Sequence, residues 1–357
     1  MSAQTLERLV GFAPVCGDRC QRVTIVALYL FLLGYPFHQY YVFGMAFLQW
    51  DLLLFTGVAM FIIGLKFVAA APQKVCQAIS RLTDRRILKF EVISQKEFCT
   101  LLFTRADNWA RIIGILTAVA MLIAFIVSLS ISFTWSRVVL AFGEVLGAYI
   151  AGNYLGRMIG FGYLGSELEK AGISIECDPV HVDGVGGFKP IGDLYFYQAM
   201  VAGIPAIFLA TWWFIFPLWP RDYSHWENAY FMLLIIAIII EIFAFVAPLI
   251  SFHRIMSASK ARWLKRADEI GNQIQEMKHA LESAQTDGSS KVKADQIEEL
   301  TKSYWVIENM PTWPVDIKTR RRFELHNILL FVPVVGDIAK HNINWEKIVV
   351  ALKPLIS

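Results

Sequence analysis

Asp178, His181, Asp183 and Asp193, with Cys177 just ahead of them, fall in one stretch, ECDPVHVDGVGGFKPIGDLYF (residues 176–196), that also carries Gly184, Gly186, Gly187 and Gly192. Carboxylates and an imidazole suit a divalent cation, and glycines let a backbone take positive φ and come close to a ligand. The spacing matches no metal motif. DGVGG lacks the lysine and hydroxyl residue of a P-loop, and no strand pattern leads into it as a dinucleotide fingerprint requires. Three readings stay open: an ordered turn, an ion- or ligand-sensing loop, and a metal-dependent membrane enzyme using residues 177–193. No motif names a cofactor. Cys16 and Cys20, one helical turn apart, could supply two thiolates, but no second pair or nearby histidine completes a site.

A second set of residues draws attention because apolar runs surround it. Glu144 and Arg157 lie in one such run, and Glu241 falls near the midpoint of LLIIAIIIEIFAFVAP. A carboxylate at mid-depth in a bilayer costs at least about 2.5 kcal/mol, so it turns inward to a partner or loses its charge. Ala237, Ile238, Ile239, Ile240, Ile242 and Phe243 offer none. The partner must come from another helix, a bound cation or water in a pathway, and Glu144 is one candidate. Arg157, near the cytoplasmic end of its run, can snorkel to the interface or cap the bundle.

The elements that must position these groups are membrane helices. The chain has 357 residues, of which 56% are hydrophobic and 18% charged, against about 25% charged in soluble domains. Runs near 49–71, 112–133, 138–162, 197–219 and 229–251 reach the roughly 17–25 residues that cross a bilayer. A shorter run, 23–37, follows Arg19 and Arg22 but precedes no small-residue cleavage site, so it reads as an uncleaved first span and not a signal peptide. Eight basic residues between Lys74 and Arg111 crowd one connection, while those at Arg137 and Arg221 carry one each. The positive-inside rule then makes six spans, with both termini in the cytoplasm. The five cysteines, an odd number, all fall on that reducing side. A formal net charge of +3 gives no reason to expect a nucleic-acid partner.

In GEVLGAYIAGNYLGRMIGFG (143–162), Gly143, Gly147 and Ala151 form one small-residue track and Gly152, Gly156 and Gly160 another. Such tracks mark surfaces where membrane helices approach closely, so this helix is expected to have a neighbour on each side. After Phe252, Ala267, Ile270, Ile274, Met277 and Leu281 take steps of three and four, and Ile297, Leu300, Tyr304 and Ile307 resume the spacing after a turn at 286–290. A helical hairpin with a coiled-coil seam follows, and such a seam favours a homo-oligomer. Asn327 to Val335 is too short to span and is expected under the bundle or at the interface.

The sequence thus predicts an all-α, polytopic bundle of about six transmembrane helices in the cell membrane. A cytoplasmic segment occupies 1–22, the bundle 23–252 with a Gly-rich loop at 163–196, and the cytoplasmic hairpin and tail 253–357. The expected activity is conduction or transport of a small ion or solute, gated by the cytoplasmic domain. A non-conducting sensor, scaffold or defence component is the alternative, ahead of the metal-dependent enzyme.

Overall fold

The computed structural model describes residues 52–129, 135–215, 227–283 and 289–342, with isolated positions between 26 and 44. Most of the expected first span, the Cys16–Cys20 pair, residues 284–288 and the end of the tail lie outside the described residues, and of the turn expected at 286–290, Ser289 and Ser290 instead open a helix.

The described residues are almost wholly helical. In chain order they form α1 (Leu52–Asp84), β1 (Leu88–Lys89), α2 (Gln95–Leu129), α3 (Trp135–Gly162), α4 (Leu164–Lys170), β2 (Ser174–Ile175), α5 (Lys189–Ala202), α6 (Ile204–Ile215), α7 (Glu227–Ser283), α8 (Ser289–Glu308) and α9 (Ile317–Asn342). Leu88 pairs with Ile175 and Lys89 with Ser174 in one short antiparallel ladder. Phe55–Asp84, Gln95–Ile123 and Phe231–His279 are each long and apolar enough to cross a membrane, and the bent pair α5–α6 makes a fourth if it is one broken span. The chain therefore has the helices of a membrane protein.

Two compact units are present. The first comprises 72–196 and 245–319. In it α2 and α3 pack along their length. Ser94 and Glu97 cap α2 reciprocally, Glu97 N–H donating to Ser94 Oγ (3.2 Å) and Ser94 N–H to Glu97 Oε2 (2.9 Å). A Cβ at Gly160 would come within 2.5 Å of Ala106 Cα, and one at Gly156 would collide with the Trp109 carbonyl and the Ala110 backbone. This track does bring backbones together. The other does not: nothing among the described atoms lies within 4 Å of a Cβ built on Gly147, and Ala151 is exposed. The expectation of a protein neighbour on both sides is met on one side within the described residues. Gly156→Leu should therefore separate α2 from α3 and lower the melting temperature in detergent, a loss of at least about 1–3 kcal/mol. Gly147→Leu should leave it near wild type; equal losses would mean that both tracks are packed.

The second unit comprises 197–244 and 320–342, with α1 up to Ala71. Trp212 Nε1 donates to Thr56 Oγ1 (2.9 Å), pinning α6 to α1. Ala206, Leu209 and Ala210 of α6, Leu234, Ala237 and Ile238 of α7, and Leu330 of α9 form one core cluster. The 327–335 stretch, expected under the bundle or at the interface, is part of a long helix whose Leu330 packs on the apolar half of α7.

Candidate functional site

The Gly-rich loop is organised around one carboxylate. Asp183, its side chain 4% exposed, forms an ion pair with Arg85 (2.7 Å). It also accepts the N–H groups of Val185 (3.0 Å), Gly187 (2.9 Å) and Lys189 (3.3 Å). His181 Nδ1 lies 3.0 Å from Asp183 Oδ1 and 3.2 Å from Asp183 N, so the tautomer decides which contact is the hydrogen bond. Gly187 sits at φ +89°, where an L side chain is strained, and a Cβ there would lie 2.5 Å from Ile87 Cδ1. Its carbonyl accepts from Arg85 (2.9 Å). Asp183 is therefore saturated by donors the chain itself supplies.

The remaining candidates do not converge on it. Asp178 is exposed and accepts Val180 N–H (3.0 Å), an Asx turn. Asp193 is exposed on α5, and Cys177 is buried, where burial pushes its thiol pKa up despite hydrogen bonding from Ser259 and the charge of Arg262. No group of three or more His, Cys, Asp or Glu side chains among the described residues could hold a metal ion. The loop is anchored to the rest of its unit by Trp263 Nε1 on the Cys177 carbonyl (3.2 Å) and by Lys189 on Asp316 (2.9 Å). Asp316 in turn caps α9 through Thr319 N–H (2.7 Å).

Both carboxylates respond to acid in the same direction. Burial opposes ionisation of Asp183, but the N–H groups of Gly187, Val185 and Lys189, with His181, outweigh it and hold its pKa below the usual value. At Asp316 burial again opposes, and Thr319 and Lys189 win, bringing the pKa down to about 2. A folded pKa below the unfolded one stabilises above the unfolded value, about 3.9, and that stability is lost as pH falls through the folded value. Pepsin cleavage within 176–193 should rise as pH drops from about 4 towards 2, and Asp183→Asn should expose the loop to protease at neutral pH. A loop equally resistant in Asp183→Asn would remove the carboxylate from its role as organiser.

The charged residues of the apolar runs are placed differently from one another. Arg157, 8% exposed, pairs with Asp107 of α2 (NH2 to Oδ1, 2.8 Å), so it bridges α2 and α3. Glu144 lies on α3, and its side chain falls outside the described residues. Glu241 is wholly buried in the second unit, 0% exposed. Its carboxylate rests against Gly203, where a Cβ would stand 2.6 Å from Glu241 Cδ. Gly203 is the joint at which α5 and α6 bend by 43°. Its own N–H donates to Ala199 O (2.8 Å) and its carbonyl accepts from Ile207 (2.9 Å). Pro205 has no N–H to give, so the Val201 carbonyl lacks the donor a continuous helix would supply.

His326 of α9 brings Nε2 to 3.0 Å from Glu241 Oε1. The approach is close but badly directed: no side chain or backbone group among the described residues completes a hydrogen bond to either Glu241 oxygen or to His326 Nε2. The same unit buries Gln198 (2%) and Asn327 (8%), each with one polar side-chain atom left without a protein partner.

No family model, curated protein or solved structure matches the chain. What the site can do follows from its own chemistry. Buried polar atoms in folded proteins are almost always satisfied, so a carboxylate held at a helix break beside an imidazole is suited to a proton, a small cation or water. Of the partners expected for Glu241, a group on another helix, a bound cation or water, the described residues show one helix-borne group facing it, His326, without a completed hydrogen bond, and the side chain of Glu144 lies outside the described residues. No local signal marks His326, which stands between Arg320, Arg321 and Arg322 and an apolar stretch too short to read as a span. A Gly-x-Pro step inside an apolar run, Gly203 to Pro205, was an available signal for the site.

Proposed function

We propose that this chain is a multi-pass protein of the cell membrane that moves protons or a small cation, with Glu241 and His326 as the exchanging groups. One observation carries the reading: Glu241 is fully buried in the apolar half of a membrane-length helix, pressed against the break between α5 and α6 and faced by an imidazole. Transport sites in membranes are often built at discontinuous helices, where backbone carbonyls freed by the break can coordinate a cation. A carboxylate and an imidazole can pass a proton between them, and net uptake or release by the pair requires water or another polar group to reach it from one side of the membrane. Asp183 has no capacity left for a metal, which withdraws support from the metal-dependent enzyme reading.

The placement of basic residues supports six spans with a cytoplasmic N-terminus, and the apolar seam on α7 and α8 supports a cytoplasmic helical hairpin that packs on itself or on a second copy. α7 is continuous from Glu241 to the residues that hold the loop and the end of α8: Trp263, and Lys260, whose Nζ donates to the carbonyls of Glu308 (2.8 Å) and Met310 (2.9 Å). That continuity favours gating by the cytoplasmic segment. Purified protein in liposomes should collapse an imposed pH gradient or admit a monovalent cation under an applied potential. Absence of flux under both conditions would overturn transport and leave the non-conducting sensor.

A further inference from the structure

The C-terminal helix α9 has two faces. Phe323, Asn327 and Leu330 are buried, at steps of four and three, and Leu330 joins the core cluster with α6 and α7. The opposite face is exposed and changes character along the helix. Arg321, Arg322 and Glu324, the last ion-paired with Arg320 (2.7 Å), come first, then Leu325 (60% exposed), Ile328 (62%), Leu329 (62%) and Val335 (63%). The apolar part matches the exposed face of α7 in the same unit, where Met232 is 64% exposed, Ile236 51% and Phe243 67%. α7 at these positions is a membrane-length apolar helix, so the two exposed faces belong to the same solvent.

The contacts also set the direction of α9. His326 lies beside Glu241 and Gly203, Leu330 clusters with residues 206–210 and 234–238, and Gly336 meets Trp213 (a Cβ there would be 3.0 Å from its ring). Moving forward along α9 therefore means moving backward along α7 and forward along α6. Asp337 comes 11 residues after His326, about 16 Å at 1.5 Å per residue, which is about half the hydrocarbon thickness. From Arg322 to Asp337 the helix rises about 22 Å, and arginines that snorkel extend that reach. Its composition alone does not qualify α9 as a span, since Arg320, Arg321 and Arg322 dilute the apolar stretch.

We infer that α9 is a membrane helix that enters from the cytoplasmic leaflet, with Arg321 and Arg322 about 6–8 Å below the level of His326 and snorkelling towards anionic headgroups, with Leu325 to Val335 against acyl chains, and that it crosses to the outer face. The C-terminus then emerges outside, which revises the cytoplasmic placement expected from charge alone. The inference needs α7 to be a span but does not need the protein to transport anything.

Photo-crosslinking in vesicles of phosphatidylcholine and phosphatidylglycerol tests it. p-Benzoylphenylalanine at Leu329 or at Val335 should form lipid adducts as readily as at Ile236 of α7, whereas the same residue at the exposed Trp305 of α8 should form few. A C-terminal reporter should read external. Adducts at Ile236 without adducts at Leu329 and Val335 would overturn lipid contact. Adducts at Leu329 together with a cytoplasmic-reading C-terminus would overturn the crossing. Both results can arise whether or not the liposomes show flux, so failure here and failure of transport are distinct.

Discussion

Glu241→Gln in liposomes is expected to keep wild-type expression, oligomer size and melting temperature while losing on the order of tenfold or more of the flux. Glutamine preserves the volume that packs against Gly203 and keeps an acceptor and a donor for His326. It removes the group that can take up or release a proton or hold a cation. Because Glu241 is 0% exposed and its oxygens have no well-directed protein partner, little stability is invested in its hydrogen bonds. His326→Gln should give a similar loss, and the double variant should be no worse than either single one, since groups that act as a unit are not additive. Wild-type flux from Glu241→Gln would end the proposed role of the pair. A protein that melts early yet conducts normally would make Glu241 a packing and polar-network residue.

The parts of the fold that could be read from the sequence are those in which one local signal decides. Apolar runs of span length gave α1, α2 and the apolar half of α7, and the Gly152, Gly156 and Gly160 track marked the surface that packs on α2. Ser94 and Glu97 would have marked the start of α2 by the same kind of local rule. What could not be read depends on contacts between distant segments. Gly147 has the same spacing as Gly156, but spacing does not say whether a neighbour is present. The 327–335 stretch is short and preceded by arginines, so local composition does not choose between a place under the bundle and one at the interface, and only the packing of Leu330 with Leu234 and Ile238 shows which side of the helix is covered.

The candidate site divides in the same way. Glu241 was legible because an ionisable residue in an unbroken apolar run has no local explanation. Its imidazole partner lies 85 residues away, His326 against Glu241, and nothing local joins them. The loop shows the opposite case. Asp178, His181, Asp183 and Asp193 cluster in sequence, yet the fold points Asp178 and Asp193 outward and spends Asp183 on backbone N–H groups and Arg85. Glycines at positive φ there serve the turn itself, which brings those N–H groups onto one carboxylate.

Gly203→Ala should be the most informative single methyl group in the protein. Gly203 lies between two helices and does not occupy a left-handed conformation, so the backbone itself does not forbid alanine. Contact decides against it: the new Cβ would lie 2.6 Å from Glu241 Cδ and 3.0 Å from Oε1. The carboxylate is fully enclosed, so it cannot swing into solvent, and overpacking of this kind costs about 1–3 kcal/mol. Melting temperature and flux should both fall. Gly271→Ala, whose nearest contact is Tyr304 at 3.9 Å, should be neutral or stabilising. Glu241→Asp shortens the side chain by one methylene and withdraws the carboxylate from the new Cβ, so the Gly203→Ala, Glu241→Asp double variant should melt above Gly203→Ala alone. If the two substitutions instead add independently, Gly203 does not exist to accommodate Glu241, and the bend at α5–α6 must be explained by Pro205 without the carboxylate.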